Sequence, residues 1–328
     1  MKIIVNGLDT ILMSLCELKN IDLYLFNDYI GNEVLVRMRG EWSDKLKVHK
    51  IVDIEHLLIS ISSKNNSRLL GFFASSKRMA ELIKKMMFSD VVNTPMLILY
   101  VDNELSINDL RFKLKEFGAI ILEPPFINEL PRYIKEAYNF AMRYGACVAI
   151  RLNEELLYEW VELESDFIKP EVTLYERLSV HKNKDDALKT LSAKINKFII
   201  NENSDMHVIV PGATYRNFYA IFFEKNLLDK IAISLWGLTN PISEDEIFKI
   251  VEEKTFLIIV DYLDFLKREL LNVILKLYHS GKISRFPVII DLENLEFILD
   301  ERLYKGHAKR YEEDVKNGKV PNILSEFF

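Results

Sequence analysis

Residues 119–151 read AIILEPPFINELPRYIKEAYNFAMRYGACVAIR, and the class of fold turns on how this stretch is divided. Ala119–Leu122 is a short apolar run of strand length. Glu123-Pro124-Pro125 stops it, because two prolines in a row supply no amide donor to a sheet. Leu130–Tyr144 then has the period of an amphipathic helix, and Gly145 suits its C-cap, where the backbone turns left-handed. Cys147–Leu152 is a second apolar run. A strand, a helix long enough to cross over and another strand are the parts of a parallel α/β unit.

The same rhythm extends in both directions. Toward the N-terminus, Lys2–Val5, Leu23–Phe26, Val48–Val52, Arg68–Phe73 and Met96–Val101 read as strands. Helical segments separate them at Asp9–Leu18, with Asp9 or Thr10 as cap, and at Glu55–Ser62, Lys77–Phe88 and Ile107–Phe117. In Lys77–Phe88 the spacing turns Met79, Leu82, Ile83 and Met86 inward. Toward the C-terminus, residues 153–205 break the pattern with an acidic start and one long helix, Lys182–Ile200. Alternation resumes with strands at His207–Val210, Ile231–Trp236, Phe256–Val260 and Pro287–Ile290. The helices between them are Tyr215–Asn226, Ser243–Glu253 and Tyr262–Tyr278, and Gly237–Pro241 reads as a loop. Ser243 with Glu246 three residues on is a capping-box pattern. The expected organisation is therefore an α/β domain over 1–152, a connecting segment with one long helix over 153–205, a second α/β domain over 206–300 and a polar tail over 301–328.

Composition excludes several classes of function. The 328 residues are 49% hydrophobic and 28% charged, the balance of a globular chain rather than a disordered one. A formal net charge of −6 disfavours a phosphate-neutralising nucleic-acid binder. No apolar run has the length of a membrane span, and Met1–Leu8 lacks the pattern of a secretory signal. Cys16 and Cys147 are the only cysteines, so no disulfide framework, metal cage or iron–sulfur spacing is present and a reducing cytoplasmic setting is expected. The six histidines show no metal-ligand spacing, and no metal site is read. The basic pairs Lys84-Lys85 and Lys309-Arg310 are diluted by acidic neighbours and read as solvated faces. Nucleotide-cradle, nucleophile-elbow and zinc-protease motifs are absent.

Several segments, in order, resemble the 2-oxoacid:ferredoxin oxidoreductase superfamily. Residues 119–151 look like the strand, Glu-Pro, helix and Arg-ended strand of its thiamine pyrimidine-binding domain. Asp109-Leu110-Arg111 resembles the family's Asp-x-Arg helix entry. His207–Tyr215 resembles the opening strand and Gly turn of its second domain. Gly237, Thr239, Pro241 and Glu244 match a Gly-x-Thr-x-Pro-x-x-Glu loop there, in which Gly237 and Thr239 are read as a structural turn. The closest likeness is to the first two domains of the indolepyruvate-type alpha subunit. The resemblance implies two parallel-sheet α/β domains, the first thiamine pyrimidine-domain-like and the second transketolase-C-terminal-like.

In that family a glutamate hydrogen-bonds the pyrimidine N1′ and promotes the tautomer that starts catalysis, while the cofactor supplies the carbanion chemistry. Asp53-Ile54-Glu55-His56 follows a strand and opens a helix at the corresponding place. The resemblance thus implies that Glu55 is the catalytic and cofactor-binding residue; the alternative is an acidic residue favoured at a helix N-terminus. It also implies Asn27, Tyr29 and Arg111 on the substrate side. The family's Gly-Tyr-Pro-x-Thr-Pro loop is here Phe26-Asn27-Asp28-Tyr29-Ile30-Gly31, without its Pro and Thr. The Gly/Ala-rich helix after the catalytic Glu is here Leu57–Asn66, and the segment before Asp-x-Arg is shortened to Asn103–Asn108. No counterpart of the diphosphate-binding or ferredoxin-like domains is present. Thiamine diphosphate is accordingly expected only if shared with a partner subunit carrying the diphosphate site, with no iron–sulfur cluster in this chain. A homodimer is compatible with the family, whose sites lie between chains. The other implied reading is a catalytically inactive paralogue acting as a structural or regulatory subunit.

Overall fold

The structure is a computed structural model that describes residues 2–38, 45–62, 68–89, 94–102, 109–164, 184–199, 204, 206–224, 231–253, 256–259, 261, 265–284, 286–290, 313 and 317. The shortened segment 103–108 and nearly all of the tail lie outside the described residues. The chain divides into two units, residues 1–195 with 237–241, and residues 196–236 with 242–328.

The first stretch of chain supplies β1 (Lys2–Asn6), α1 (Gly7–Cys16), β2 (Ile21–Phe26), α2 (Tyr29–Met38), β3 (Lys47–Ile51), α3 (Ile54–Ser62), β4 (Leu69–Ser75) and α4 (Ser76–Met86). There follow β5 (Met96–Asp102), α5 (Leu110–Glu116), β6 (Ile120–Leu122), α6 (Leu130–Tyr144), β7 (Cys147–Asn153), α7 (Glu154–Tyr158), β8 (Trp160–Glu164) and α8 (Lys184–Ile195). The remainder is β9 (Lys197–Ile199), β10 (Met206–Pro211), α9 (Gly212–Glu224), β11 (Ala232–Trp236), β12 (Leu238–Asn240), α10 (Glu244–Glu253), β13 (Phe256–Ile259), α11 (Phe265–His279) and β14 (Val288–Ile290).

The first unit is built on a seven-stranded sheet of order β12-β6-β7-β5-β4-β2-β3. All its neighbours pair in parallel except the antiparallel β12–β6 edge. Its central strands are apolar runs buried on both faces, as a parallel sheet covered by helices requires. On one face Leu23, Leu25, Leu97, Leu99, Val148 and Ile150 pack with α1, α2 and α6. Met79, Leu82, Ile83 and Met86 of α4 are fully buried, as their spacing predicts. The second unit has a five-stranded sheet of order β14-β13-β10-β11-β9, parallel except for β9. The fold is thus two α/β units with mainly parallel sheets, as expected.

Local readings that fail do so where tertiary pairing overrides periodicity. Helix α1 starts at Gly7, and its cap is Asn6, whose side chain accepts from Asp9 N at 2.9 Å, rather than Asp9 or Thr10. Glycine is required at position 7, since a Cβ there would lie 1.8 Å from Leu156 O. The helix expected over 182–200 ends at Ile195, because Lys197–Ile199 pairs antiparallel with β11. The expected loop 237–241 contains β12, whose three residues are too few to show alternation. Residues 160–164, read as connection, form β8 and pair antiparallel with β1 in a separate two-stranded ribbon. Gly145 adopts φ 60° at the end of α6, the left-handed C-cap that the sequence predicts.

Candidate functional site

Three of the stretches that carry the family resemblance, residues 109–111, 119–151 and 237–241, meet in the first unit at the carboxyl edge of its sheet. Asp102 ends β5, Glu123 follows β6 and Arg151 lies near the end of β7. Asp109 caps α5 by accepting from Arg111 N at 2.9 Å, and the Arg111 guanidinium folds back to donate Nη2 to Asp109 Oδ2 at 2.7 Å. Arg111 Nη1 donates to Glu123 Oε1 at 3.1 Å, and Arg151 Nη1 donates to Glu123 Oε2 at 3.1 Å. Arg151 Nε donates to Asp102 Oδ2 at 3.1 Å. Thr239 of β12 donates its hydroxyl to Glu123 Oε1 at 2.9 Å, and Glu123 N donates to Gly237 O at 2.7 Å. Asp102, Arg111, Glu123, Arg151 and Thr239 are all buried.

Three carboxylates therefore face two guanidinium groups away from water. Burial raises the Asp102 carboxyl above its ordinary range, against the attraction of Arg151. Burial and Arg111 oppose the charge on Arg151, yet Glu123, Tyr100 and Asp102 hold its guanidinium more firmly protonated than usual. Such a network is weak evidence of net stabilisation but costly to break in part. It ties the ends of three adjacent strands and the edge strand β12 together. Thr239 lies in the edge strand β12, and Gly237 sits at the bend between β11 and β12. A Cβ on residue 237 would lie 2.1 Å from Tyr133 Oη, so only glycine lets this edge close.

The candidate residues named by the resemblance fall in different surroundings. Arg111 is enclosed in the network and exposes none of its surface. Glu55 opens α3 just past the carboxyl end of β3, with its amide donating to Asp53 Oδ1 at 2.8 Å. Its carboxylate is exposed and takes Lys85 Nζ of α4 at 3.0 Å, with side-chain exposures of 73% and 44%. Asn27 is exposed in the turn after β2. Tyr29 is not in a loop but starts α2, and its phenol is hydrogen-bonded to Glu154 of α7. Burial first, then Glu154, pushes that phenol well above its usual range.

Two positions that sequence reasoning passed over organise this edge. Asp28 accepts from Gly31 N and from Ser75 N, both at 2.8 Å, and so fastens the start of α2 to the end of β4. Glu123 is the hub of the buried network. Its signal was available: charged residues directly after or within apolar runs, as in AIILE and CVAIR, need buried partners.

Whether these residues suit thiamine diphosphate can be tested end by end. The pyrimidine asks this domain for a carboxylate at a helix start on the carboxyl edge, and Glu55 provides one. Its partner Lys85 is displaceable, since a pair between exposed side chains contributes about 0–1 kcal/mol. Among the described residues no group of three or more His, Cys, Asp or Glu could hold a metal ion. No described helix is long and apolar enough to cross a membrane.

No protein-family model and no curated protein sequence matches the chain. Solved structures do match. A 2-oxoglutarate:ferredoxin oxidoreductase from Magnetococcus marinus, solved with 2-oxoglutarate, coenzyme A and succinyl-CoA, superposes with a TM-score of 0.62 at 12% identity. That match takes in 89% of this chain, which spans 62% of the length of the oxidoreductase chain. A split-gene transketolase, in an inactive beta4 tetramer, superposes with a TM-score of 0.60 at 8% identity, over 88% of this chain and 89% of that one. At these identities the likeness is one of fold.

Proposed function

We propose that the chain is an alpha-like subunit of a thiamine-diphosphate-dependent 2-oxoacid:ferredoxin oxidoreductase of the indolepyruvate type, completed by a partner subunit that carries the diphosphate site and the clusters. The observation that carries this reading is the convergence of Asp109, Arg111, Glu123, Arg151, Gly237 and Thr239. These residues come from separate family-like stretches and form one buried network at the β12-β6-β7-β5 end of the sheet, while Glu55 stands after β3 at the sheet's other end.

When bound, the cofactor supplies the carbanion chemistry. Glu55 would meet the pyrimidine N1′ and would give up Lys85 to do so, and its exposed carboxylate would need a covering partner surface to keep water out. Asn27, at the turn after β2, stands on the substrate side of this reading, and Arg111 acts through the network instead of touching substrate.

A second reading has an observation of its own. Glu55 is satisfied by Lys85 at the surface and Arg111 is enclosed, as expected of a paralogue that keeps the fold as a structural or regulatory subunit without catalysis. The test is a tagged purification from the native organism, with partner proteins, thiamine diphosphate and iron–sulfur absorbance measured on one eluate. The enzyme reading expects a cofactor-bearing partner. It also expects Glu55→Gln to reduce turnover of the complex by about 10²-fold or more while the partner is retained. Unchanged turnover refutes the role of Glu55. A partner recovered without cofactor and iron establishes the second reading.

A further inference from the structure

The ribbon of β1 and β8, with helices α2 and α7, leaves a group of large apolar side chains in solvent. Eleven large hydrophobic residues are exposed among the described residues, and five of them, Ile4, Tyr29, Val36, Tyr158 and Trp160, belong to these four elements. Ile4 pairs with Glu162 and Asn6 pairs with Trp160, so Ile4 and Trp160 are diagonal neighbours on the outward face of the ribbon. Trp160 is 65% exposed. Along α2, Tyr29, Glu33 and Val36 follow the i, i+4, i+7 stripe of one helix face. Tyr158 joins that stripe to the ribbon by donating its hydroxyl to Glu33 Oε2 at 2.9 Å. Scattered apolar residues need no explanation, but a contiguous group marks an interaction surface.

The charge around the group is mainly acidic. Residues 154–164 contain five glutamates and no lysine or arginine. The basic groups nearby are engaged: Arg37 lies 2.6 Å from Asp9 and 3.3 Å from Glu33, and Lys2 lies 3.5 Å from Glu162. Carboxylates around exposed tyrosine and tryptophan rings suit a cation, which gains from ion pairing and from the ring faces together. They repel nucleic acid and anionic lipid alike. The stripe from Tyr29 to Val36 alone runs about 10 Å along α2, longer than a single small cation can cover.

We infer that this face docks a basic amphipathic segment of a partner protein, in which lysine or arginine alternates with apolar residues. The apolar residues cover Ile4, Val36 and Trp160, and the cations meet Glu154, Glu162 and the aromatic rings. The inference makes no use of Glu55, so it stands or fails separately from the proposed activity.

The test titrates the full chain with two short synthetic peptides, one alternating lysine with valine and one alternating glutamate with valine, by calorimetry and tryptophan fluorescence. The basic peptide is expected to bind, and to bind less as salt rises from about 0.05 to about 0.5 M. Trp160→Ala, and separately Glu154→Gln with Glu162→Gln, are each expected to weaken binding roughly tenfold or more, the effect of losing an anchor. Phe88→Ser, just past α4, is the control and should change nothing. Trp160, Glu162 and Phe88 are exposed and Glu154 is half-buried, and circular dichroism checks that the variants fold. No binding of the basic peptide, equal binding of both peptides, or undiminished binding by Trp160→Ala overturns the inference.

Discussion

Replacing Glu123 by glutamine should destabilise the first unit, and the size of the loss follows from the network. The substitution keeps volume and one carbonyl oxygen, which can still accept from Arg111 or Thr239. The other oxygen, which accepts from Arg151 Nη1 at 3.1 Å, becomes an amide donor facing a donor. One charge-assisted hydrogen bond, worth about 1.5–3 kcal/mol, is lost inside the protein. The overall charge count argues the other way, since three carboxylates against two guanidinium groups become two against two. That relief is small, because Asp102 and Asp109 keep their own guanidinium partners. The local term wins, and a net loss of about 2–3 kcal/mol is expected for Glu123→Gln. For a unit of about 200 residues this lowers the melting temperature by about 5–10 °C. Differential scanning calorimetry of the full chain measures it. Thr239→Val, made alone and together with Glu123→Gln, completes a double-mutant cycle that should show coupling between the two residues. A Glu123→Gln transition within about 2 °C of wild type, or above it, would refute the reasoning that local pairing outweighs excess charge.

Three further outcomes are expected. Gly237→Ala drives a methyl group onto Tyr133 Oη and Ile195 Cγ2 and should cost about 1–3 kcal/mol in chemical denaturation, whereas wild-type stability would show that the edge strand can move aside. Because the Asp102 carboxyl is raised in the folded chain, its favourable contribution is complete below the unfolded value and is lost as pH rises through the folded one. Wild type should therefore gain stability relative to Asp102→Asn as pH falls from about 7 to about 4, and a wild type that loses ground over that interval contradicts the assignment. Burial pushes the Cys16 thiol up to about 11, partly offset by Lys45, and pushes the Cys147 thiol higher still. A thiol reagent at about pH 8 should label neither cysteine quickly in the native chain and both in urea; rapid native labelling of Cys147 would contradict its burial.

The fold was legible wherever burial writes a period into the chain. Met79, Leu82, Ile83 and Met86 announced α4 and its inward face. The apolar runs at β2, β5 and β7 announced strands covered on both sides, and Gly145 announced the end of α6. Two of the failures share a cause. β9 and β12 have three residues each, and three residues cannot distinguish a strand from a helix end or a loop. Asn6, Asp28 and Asp109 all bind backbone amides at helix starts, yet Asn6 lay in no motif and Asp28 stood unremarked inside the Phe26–Gly31 stretch. Of the candidate site, the place of Glu55 at a helix start was readable. Its exposure and its pair with Lys85 were not, because they depend on how α3 lies against α4.

The sequence by itself determined the alternation of strands and helices and the presence of only two cysteines, since each depends on residue type and near-neighbour spacing. The tertiary structure decided which charges meet. Asp102, Asp109, Arg111, Glu123, Arg151 and Thr239 are spread over 138 positions of chain, and no local pattern tells a buried salt bridge from a solvated one. Only strand order brings the ends of β5, β6, β7 and β12 side by side. That order follows from long-range pairing and from the cost of leaving a charge buried without a partner, and neither is a property of any short stretch of chain.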